Sequence, residues 1–499
     1  MSTTFFGLES ARKALAASQK AIDVSGHNIA NADTVGYTRQ RLTLAAIEPK
    51  ISSGRYLNSE RGVVGAGVEI ITVEQVRSEF LDQQYRNETS LKGEWSTRAD
   101  ALSYIETLFD EQDDTGITAA ISDFTDSLQE MSKDPVNKEY RTNLLQNGLK
   151  MTETFQHYVS QLTDKQTEQN SQVEVLVGQI NDLAASVSDL NQQIARYELS
   201  GQKANDLRDQ RNQMLDQLSG LAEISYTYNS QDQLTVNLGG QILVENDTVH
   251  KLALAKTIDN PVTGQADSLY EVQWEETGNA ATITGGNLKA YLDLRDGNSA
   301  ETIGIPWLVG QLDTLANSMA TEFNKIHQQG WTLPVNGAST TGVLFFKQSA
   351  DIDGNLLAVR AADFTVDDAI KNDVYQIAAS SAQVDAANIN NGNKENIQSL
   401  IDLFNQTDLD TIGSFNSYLK SFVGSIAVET SHTNKMLSSE TVLTDSIDQQ
   451  RQALSGVSLD EEMTNLIKWQ HSYSAAARII TTVDEYLDVL INKTGVVGR

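Results

Sequence analysis

Apolar residues recur along most of the chain at alternating steps of four and three residues, the spacing of a helix seam that packs against another helix. Near the N-terminus this seam spans residues 8–29, and near the C-terminus it spans residues 459–480. It resumes at Val483 after one shortened step, which predicts local overwinding of that helix. Beside the N-terminal seam lies a stripe of small side chains that permits close helix approach: Gly7, Ala14, Ala21 and Asn28.

The interior of the chain has longer seams with the same period. One continues without a break over residues 155–197, about 65 Å of helix, and is expected to end at Ser200 and Gly201. A shorter seam over residues 117–131 stops before Pro135, because proline cannot continue a helix. The remaining predicted helices cover residues 207–221, 308–326 and 415–454.

Two stretches lack the helical period. Residues 223–297 alternate apolar and polar positions with period two, which predicts short strands. The glycine pairs at 239–240 and 285–286 are expected to serve as turns between strands. Residues 346–395 are polar and mixed in pattern, so their fold stays open.

The chain of 499 residues is therefore predicted to be multidomain and mainly α. It combines a long helical bundle and a terminal coiled coil with a small all-β domain and a further mixed insertion in the middle of the chain. Helices at both ends indicate a path that goes out along one set of helices and returns along another. The predicted domains are a terminal coiled-coil core domain of residues 1–45 with 455–499, a long-helix domain of residues 46–222 with 298–345 and 396–454, an outer β domain of residues 223–297, and a small insertion of residues 346–395.

Charge divides the ends of the chain from its middle. The net charge is −30, but residues 1–50 carry +2 and residues 451–499 carry −1, which leaves −31 for the residues between them. Such an acidic balance argues against general binding of nucleic acid. Nearly neutral ends can pack against copies of themselves, while an acidic middle keeps molecules apart. The chain contains no cysteine, which excludes disulfides and thiolate chemistry.

No residue is predicted to be catalytic, to bind a cofactor or to hold a metal ion. The six histidines lack metal-ligand spacing and are expected on the surface or on helix faces. Residues 62–67 are rich in glycine but match neither phosphate-binding pattern, so a bend between extended pieces is predicted there. Asp460, Glu461 and Glu462 follow Ser458 and are expected to form the acidic first turn of a helix. We therefore expect that the chain is not an enzyme.

Residues 26–37, with the sequence GHNIANADTVGY, closely resemble the N-terminal signature of flagellar rod, hook and hook-associated proteins. In physical terms, Asn28 and Asn31 can hydrogen-bond to backbone groups at a helix end. Gly36 permits a turn before Tyr37. The signature identifies the chain as a member of this axial-protein family.

Further strings narrow the resemblance to the hook-associated members of the family. Residues 455–462, SGVSLDEE, are similar to the C-terminal motif of those members, whereas hook protein usually lacks the acidic run. Residues 205–211, NDLRDQR, resemble an internal motif, although Arg208 stands where an uncharged residue is more usual. Val35 replaces the commoner proline of the N-terminal signature.

The resemblance implies a structural subunit of the bacterial flagellum that forms the junction between hook and filament and is required for filament assembly. Its terminal helices would pair as a coiled coil lining the inner tube, and the subunit would self-assemble through them. Members of the family leave the cell through the flagellar type III export apparatus, so a secreted, extracellular location is expected. The N-terminus has no standard secretory signal, which agrees with that route.

The resemblance also implies a set of partners. They are further copies of the chain, hook protein, a second hook-associated junction protein, an export chaperone and the type III export apparatus. Neither nucleic acid nor a membrane is expected as a partner, since no apolar run has the length of a membrane span. Flagellar hook protein is the nearest alternative, and a secreted coiled-coil adhesin or enzyme with a pocket in residues 223–297 is a more distant one.

The terminal seams and the signature residues supply the predicted interaction sites. The polymerisation interface is predicted at Leu8, Leu15, Ile22, Asn28, Ile29, Asn31, Gly36 and Tyr37 on the N-terminal side. On the C-terminal side it is predicted at Leu459, Met463, Leu466, Tyr473, Ile480, Leu487 and Leu490. The export chaperone is expected to contact Leu466, Ile480, Leu487 and Leu490.

Overall fold

The computed structural model describes residues 3–47, 67–110, 116–229, 233–334, 338–349, 357–385, 392–409 and 412–493. The bend predicted at 62–67 therefore lies outside the described residues except for Gly67, as do parts of the predicted insertion. The predicted mainly α, multidomain fold is confirmed. The helices are α1 (Thr3–Ala30), α2 (Glu79–Phe109), α3 (Gly116–Met131), α4 (Lys138–Glu198), α5 (Asn205–Leu221), α6 (Gly286–Asp296), α7 (Ile305–His327), α8 (Asp368–Asn372), α9 (Glu395–Asn405), α10 (Phe415–Ser455) and α11 (Leu459–Asp488). The strands are β1 (Gln40–Ala46), β2 (Val68–Gln75), β3 (Ile224–Tyr228), β4 (Leu234–Leu238), β5 (Gln241–Glu245), β6 (Thr248–Val249), β7 (Leu252–Ile258) and β8 (Leu269–Trp274).

The long seams are continuous helices where their period predicts them. The 155–197 seam lies within α4, which is 61 residues long and begins at Lys138, just after the break at Pro135. It ends before Gly201, whose φ of +82° is in the left-handed region that favours glycine. The seam of 459–490 forms α11, followed by a π-helical turn over Val489–Lys493. The shortened step of the seam lies within α11, and the wider π-helical turn follows the end of that helix.

The first of two compact units contains the two ends of the chain. It comprises Met1–Leu91, Gln179–Lys251 and Glu440–Arg499. Within it α1 packs against α11 and against the two-stranded antiparallel ribbon of β1 and β2. Strands β3 to β6 form an antiparallel sheet in sequential order. The predicted turn at Gly239 and Gly240 is confirmed, since both glycines have positive φ between β4 and β5.

The second compact unit comprises Lys92–Gly178 and Leu252–Ser439. Its core is formed by apolar side chains of α2, α3, α4, α7, α9 and α10. Phe124 is fully buried in this core, with its ring centroid 5.5 Å from that of Phe323 and 5.6 Å from that of Phe345. The core is therefore rich in aromatic contacts although the chain as a whole has few aromatic residues.

The described part of the predicted insertion contributes to that core. It has one short α-helix, α8, and two 3-10 turns, and its Phe364 is fully buried. The Phe364 ring lies 4.8 Å from Phe346 and 5.4 Å from Phe155 of α4, measured between centroids. Further core residues of the insertion include Val366, Ile370 and Ile377, but they follow no regular period, so the sequence pattern gave no sign of this packing.

Residues 223–297 differ from the single run of strands that their pattern predicted. Their strands form two separate sheets, β3 to β6 in the first unit and the β7–β8 ribbon in the second. The predicted turn at Gly285 and Gly286 is wrong, because these residues begin helix α6. The glycine pair precedes a segment with helix-forming Leu, Lys and Ala, and helix propensity decided the outcome there. The boundaries of the four predicted domains stay a prediction.

Candidate functional site

The two terminal helices pack along each other, with small side chains deepest. On α1 the most buried residues of the described part include Ala11, Ala17, Ser18, Ala21 and Ser25, each under 5% exposed. The large seam residues of α1 are only half-buried: Leu8, Leu15, Ile22 and Ile29. The small seam residues Ala11, Ser18 and Ser25 lie deeper. Of the predicted small-residue stripe, Ala21 and Asn28 are buried, whereas Gly7 and Ala14 are half-buried. Small residues allow two helix backbones to approach closely.

Helix α11 is mostly exposed in the single chain. Over its 30 residues it buries only Glu462 and Ala476. Of the predicted interface residues, Leu466, Ile480 and Leu487 are half-buried. The others are more exposed: Leu459 by 49%, Met463 by 54%, Tyr473 by 37% and Leu490 by 53%. Sequence reasoning missed the exposed Ile467, Ile479 and Tyr486, because they lie off the heptad seam.

Asn28 ties the end of α1 to the start of β1. It is 0% exposed, and its Nδ2 donates to the backbone oxygen of Gln40 at 2.9 Å. Its Oδ1 accepts from the Gln40 N–H at 2.9 Å and from the Tyr37 hydroxyl at 2.8 Å. Asn31 donates from its Nδ2 to the backbone oxygen of His27 at 3.0 Å at the helix end. The signature asparagines therefore bond within the chain, as their helix-end position predicts.

The turn predicted before Tyr37 depends on Gly36, whose φ is +83°. It directs the chain back, so that the Tyr37 ring lies edge-on to His27 with centroids 5.5 Å apart. Burial raises the pKa of the Tyr37 hydroxyl, and the carboxylates of Asp206 and Asp209 raise it further. The hydroxyl thus stays protonated and keeps its donated bond to the Asn28 side chain.

Asp209 of α5 receives hydrogen bonds from two segments that are distant from it in sequence. The Thr38 N–H donates to it at 2.9 Å and the Thr38 hydroxyl at 2.5 Å. The side-chain amide of Gln75 donates at 2.7 Å, and the Arg77 guanidinium lies 3.7 Å away. Burial raises the pKa of Asp209 to about 6, although the bonds from Thr38 and the charge of Arg77 lower it.

Two other residues of the 205–211 motif also bond to the β1–β2 ribbon. Asp206 accepts from the Gln40 side-chain amide at 2.8 Å, and Asn205 donates to the backbone oxygen of Val73 at 3.0 Å. The motif therefore joins α5 to both strands of the β1–β2 ribbon.

Arg208 departs from the usual pattern of the motif and has a local role. Its Nε and Nη2 donate to the two carboxylate oxygens of Glu198, both at 2.8 Å. The Ala204 N–H donates to the same carboxylate at 3.0 Å. These bonds close the turn between α4 and α5, so the substitution does not disturb the motif's contacts with the ribbon.

Arg39 connects the N-terminal signature to the C-terminal motif. Its backbone N–H donates to the Ser455 oxygen at 2.8 Å. Its side chain pairs with Glu461 at 3.0 Å and with Glu462 at 3.1 Å. Ser458 caps α11 by accepting from the Glu461 N–H at 3.5 Å, which confirms the predicted acidic first turn. We call Asn28, Tyr37, Thr38, Arg39, Gln40, Asp206, Asp209 and Glu462 the signature corner.

A charged network lies beside the signature corner in the same unit. The Arg451 guanidinium pairs with Asp82 at 2.9 Å and with Asp216 at 2.8 Å, and it stacks 4.1 Å above the Tyr85 ring. Arg86 is only 1% exposed in its side chain and also pairs with Asp216, at 2.7 Å. Each buried charge in this network thus has an opposite partner, as desolvated ions require.

The signature corner brings together the three strings that carried the family resemblance. Sequence reasoning identified each string but not the contacts between them, and it did not single out Thr38, Arg39 or Gln75. Position gives a partial signal, since Thr38 and Arg39 directly follow the N-terminal string. The side chains to which they bond depend on the register of the β1–β2 ribbon, which the sequence alone does not give.

Two further chemical features bear on the site. Among the residues that the structure describes, no group of three or more His, Asp or Glu side chains is arranged to hold a metal ion. None of the described helices is both long and apolar enough to cross a membrane. The residues gathered at the signature corner bond to one another, so the arrangement fixes the chain path.

Matches at the paired terminal helices define the class of protein. The family model described as flagella basal body rod protein matches residues 8–38, and that described as flagellar basal body rod FlgEFG protein C-terminal matches residues 448–493. The chain is an axial protein of the bacterial flagellum.

The model of the flagellar hook-associated protein FlgK helical domain matches residues 102–346. "Flagellar hook-associated protein 1" of Bacillus subtilis is 32% identical over 527 residues, which cover 100% of both chains. The chain belongs to the flagellar hook-associated protein 1 family.

More distant relatives agree with this assignment. The proteins of the same name from Salmonella typhimurium and Escherichia coli are 23% and 24% identical, and each match covers 97% of this chain. They cover 98% and 99% of the relatives. The solved structure of the flagellar hook junction protein FlgK from Burkholderia pseudomallei covers 75% of this chain and 100% of its own, with a TM-score of 0.60 at 15% identity. That likeness concerns the fold. As a member of this family the chain is a structural flagellar protein.

Proposed function

We propose that the chain is the subunit that forms the junction between hook and filament, and that it assembles with copies of itself through its terminal helices. The outer face of α11 is the main contact surface in this proposal. The observation that carries it is the exposure of α11, which buries two of its 30 residues in the single chain. Seven large apolar side chains of this helix are at least one-third exposed: Leu459, Met463, Ile467, Tyr473, Ile479, Tyr486 and, just beyond its end, Leu490.

Such exposure favours the interpretation that a neighbouring subunit covers the outer face of this helix. Contiguous apolar residues on the surface of a protein commonly mark an interaction site. Leu459, Met463 and Ile467 are spaced by four residues and lie on one helix face. Ile479, Tyr486 and Leu490, at steps of seven and four residues, form a second row. A helix that buries few of its own side chains also has little stability alone, so association would add to it.

The signature corner has a supporting role in this proposal. Asn28 is fully buried and Tyr37 is half-buried, so they position α1 and α11 rather than contact a neighbour. Gly36 sets the turn that makes this possible. In this proposal the predicted residues of α11 contact a neighbour, Leu8, Leu15, Ile22 and Ile29 lie on α1 beside it, and those of the signature corner position the two helices.

The partners follow from the same proposal. The subunit would bind hook protein on one side and a second hook-associated junction protein on the other. An export chaperone would cover Leu466, Ile480, Leu487 and Leu490 before the chain leaves the cell through the type III apparatus. The predicted terminal domain, residues 1–45 with 455–499, would form the innermost part of the assembly.

A filament assay tests the proposal. The chain's own gene would be replaced by a variant with Tyr486→Asp and Leu490→Asp, whose side chains are 63% and 53% exposed. We expect hooks without filaments in electron micrographs, while the purified variant keeps the circular dichroism of the parent chain. Val175→Asp is the matched control, since this α4 side chain is 50% exposed and should leave filaments normal.

The same micrographs separate the proposal from its alternative. Loss of a hook protein removes the hook itself, whereas loss of a junction subunit leaves hooks that carry no filament. Normal filaments on the double variant would refute assembly through α11. Absence of hooks on deletion of the gene would favour the hook-protein alternative.

A further inference from the structure

We propose that a cleft beside the signature corner binds the middle of α11 from a second copy of this chain. This inference rests on the proposed function and names the surface that receives the assembly helix. The cleft has a volume of about 430 Å³ and lies within the first compact unit. The complementary segment is residues 463–483, which belongs to the same unit.

Three aliphatic side chains are part of the mixed lining of the cleft. Val35, at the tip of the signature turn, is 83% exposed, and Leu454, near the end of α10, is 41% exposed. Leu81 of α2 adds a third apolar side chain to the lining. Large apolar side chains around a concave surface favour the binding of another apolar surface.

The charged residues that line the cleft are mainly acidic. Asp82, Asp209, Asp216 and Asp448 stand against two basic residues, Arg77 and Arg451, which gives the lining a net charge of −2. Asp82 and Asp216 are held by the Arg451 guanidinium at 2.9 and 2.8 Å, and Asp209 lies 3.7 Å from Arg77. Asp448 is the most accessible of these four carboxylates, with a side chain that is 38% exposed and 3.9 Å from Arg451.

The middle of α11 has the opposite charge. Residues 463–483 contain Lys468 and Arg478 and no Asp or Glu, which gives a net charge of +2. Lys468 and Arg478 are both exposed. They are accompanied by Ile467 and Ile479, which are 53% and 51% exposed. The basic side chains of this stretch complement the net negative lining with its accessible Asp448, and the apolar ones can contact Val35 and Leu454.

A second copy is the occupant that these features favour. The cleft and the middle of α11 are two different surfaces of one unit, so one copy's helix can bind the next copy's cleft. Contacts of this head-to-tail kind close into a ring or continue as a helical array. Both arrangements leave each subunit with one helix and one cleft engaged, which is what an axial subunit requires.

Cysteine cross-linking tests the contact directly, because the parent chain contains no cysteine. One full-length copy would carry Asp448→Cys and a second would carry Lys468→Cys, expressed together in place of the parent gene. We expect a disulfide-linked dimer in isolated flagella after mild oxidation. The matched control pairs Asp448→Cys with Lys325→Cys, a lysine of α7 whose side chain is 67% exposed, and should give no dimer.

A charge exchange gives a second and independent test. Lys468→Glu with Arg478→Glu should reduce the number of filaments about tenfold, because like charges would then face each other. Adding Asp448→Lys should restore part of that loss, whereas the control Lys325→Glu should have no effect.

The outcomes distinguish this inference from the proposed function. Filamented cells that yield no dimer from the 448 and 468 pair would overturn the inference and leave assembly through α11 intact. Normal filament numbers in the charge-reversed double variant would also overturn it. If the cysteine variants do not support filaments, the charge exchange decides the question. Partial recovery of filaments when Asp448→Lys is added to Lys468→Glu and Arg478→Glu supports the inference, and no recovery overturns it.

Discussion

The backbone N–H of Arg39 donates a hydrogen bond of 2.8 Å to the backbone oxygen of Ser455, so a residue just beyond the N-terminal signature is fixed to the residue that begins the C-terminal motif. The Arg39 side chain then pairs with Glu461 and Glu462 in the first turn of α11. The start of α11 is therefore held against the segment between α1 and β1 by specific polar contacts. Along the rest of its length α11 packs against α1.

Removal of the Arg39 side chain should release the start of α11. Glu462 has a side chain that is only 4% exposed, and Arg39→Ala would leave its carboxylate without this partner. We expect a loss of about 2 kcal/mol in the free energy of unfolding of the first unit, since an unpaired buried charge keeps its desolvation cost. Urea denaturation followed by circular dichroism measures this change.

Arg12→Ala is the control for that measurement. Arg12 pairs with Glu9 on the surface of α1, with a side chain that is 71% exposed. An exposed pair of this kind is screened by solvent, so we expect a much smaller loss than at Arg39. Equal losses from the two substitutions would show that the Arg39 pairs do not fix α11.

Asn28 should be more sensitive to substitution than its neighbour in the signature, Asn31. Asn28→Ala would leave the buried N–H and C=O of Gln40 without their side-chain partner. We expect a cost of about 2 to 3 kcal/mol. Asn31 bonds to the oxygen of His27 in its own helix, and Asn31→Ala should cost less than about 1 kcal/mol. Thermal unfolding of the two variants side by side tests this order, and a smaller effect at Asn28 would contradict it.

The hydrophobic period predicted the long helices well, because a helix that packs against other elements needs apolar side chains at this spacing along its whole length. The α4 and α10 seams are examples, and both helices are continuous. The signature corner could not be predicted in the same way. Thr38, Gln75 and Asp209 meet only because the β1–β2 register places Gln40 opposite Gln75 beside α5. Such a register depends on tertiary packing that no local pattern contains.

The exposed residues of α11 show a similar limit. Of the predicted seam residues, Leu466, Ile480 and Leu487 are half-buried, whereas Leu459, Met463 and Tyr473 are exposed. The seam gave no indication of Ile467 or Tyr486, which are exposed as well. A hydrophobic period shows which residues share a face of a helix, but not which of them a single chain buries.

Two glycines of the signature should respond to alanine in opposite directions. Gly26 lies inside α1, where an added Cβ would meet nothing within 4 Å, so Gly26→Ala should stabilise the helix by about 0.5 to 1 kcal/mol. Gly36 has a φ of +83°, and Gly36→Ala should cost about 1 kcal/mol or more from backbone strain. Gly36→Asn should cost less, since asparagine tolerates the left-handed region. Melting temperatures in this order test the explanation, and a stabilising Gly36→Ala would refute it.

His327 is the histidine that differs most from the surface or helix-face position expected for it. It is fully buried in the second unit, with its Nδ1 2.8 Å from the oxygen of Val343. Its Nε2 accepts from the Ala378 N–H at 2.9 Å, so the neutral ring donates from Nδ1. Burial lowers the pKa of His327 from 6.5 to about 4, and the nearby Arg141 charge lowers it further, although the bond to Val343 opposes this.

This buried histidine predicts acid sensitivity in a defined pH range. The unfolded chain binds a proton near pH 6.5 and the folded chain only near pH 4, so the free energy of unfolding falls as the pH drops through that interval. The loss from this group should approach about 3 kcal/mol at pH 4. Denaturation of the parent chain and of His327→Gln across this range should show a flatter profile for the variant. His157→Gln, at an exposed site on α4, should keep the parent profile. Parallel profiles for the parent and His327→Gln would contradict the assignment.

Proteolysis of the single chain should begin in α11. This helix buries only Glu462 and Ala476, so local unfolding there costs little free energy, and Lys468 and Arg478 are exposed trypsin sites. Arg141 and Arg295, each 0% exposed in the second unit, should resist cleavage much longer. Mass spectrometry of fragments from brief digestion should therefore detect loss of the C-terminal ~20 to 30 residues first. The same sites should be protected in isolated flagella, where neighbouring copies would cover α11. Early cleavage within α4, or equal cleavage of α11 before and after assembly, would count against the exposed-helix explanation.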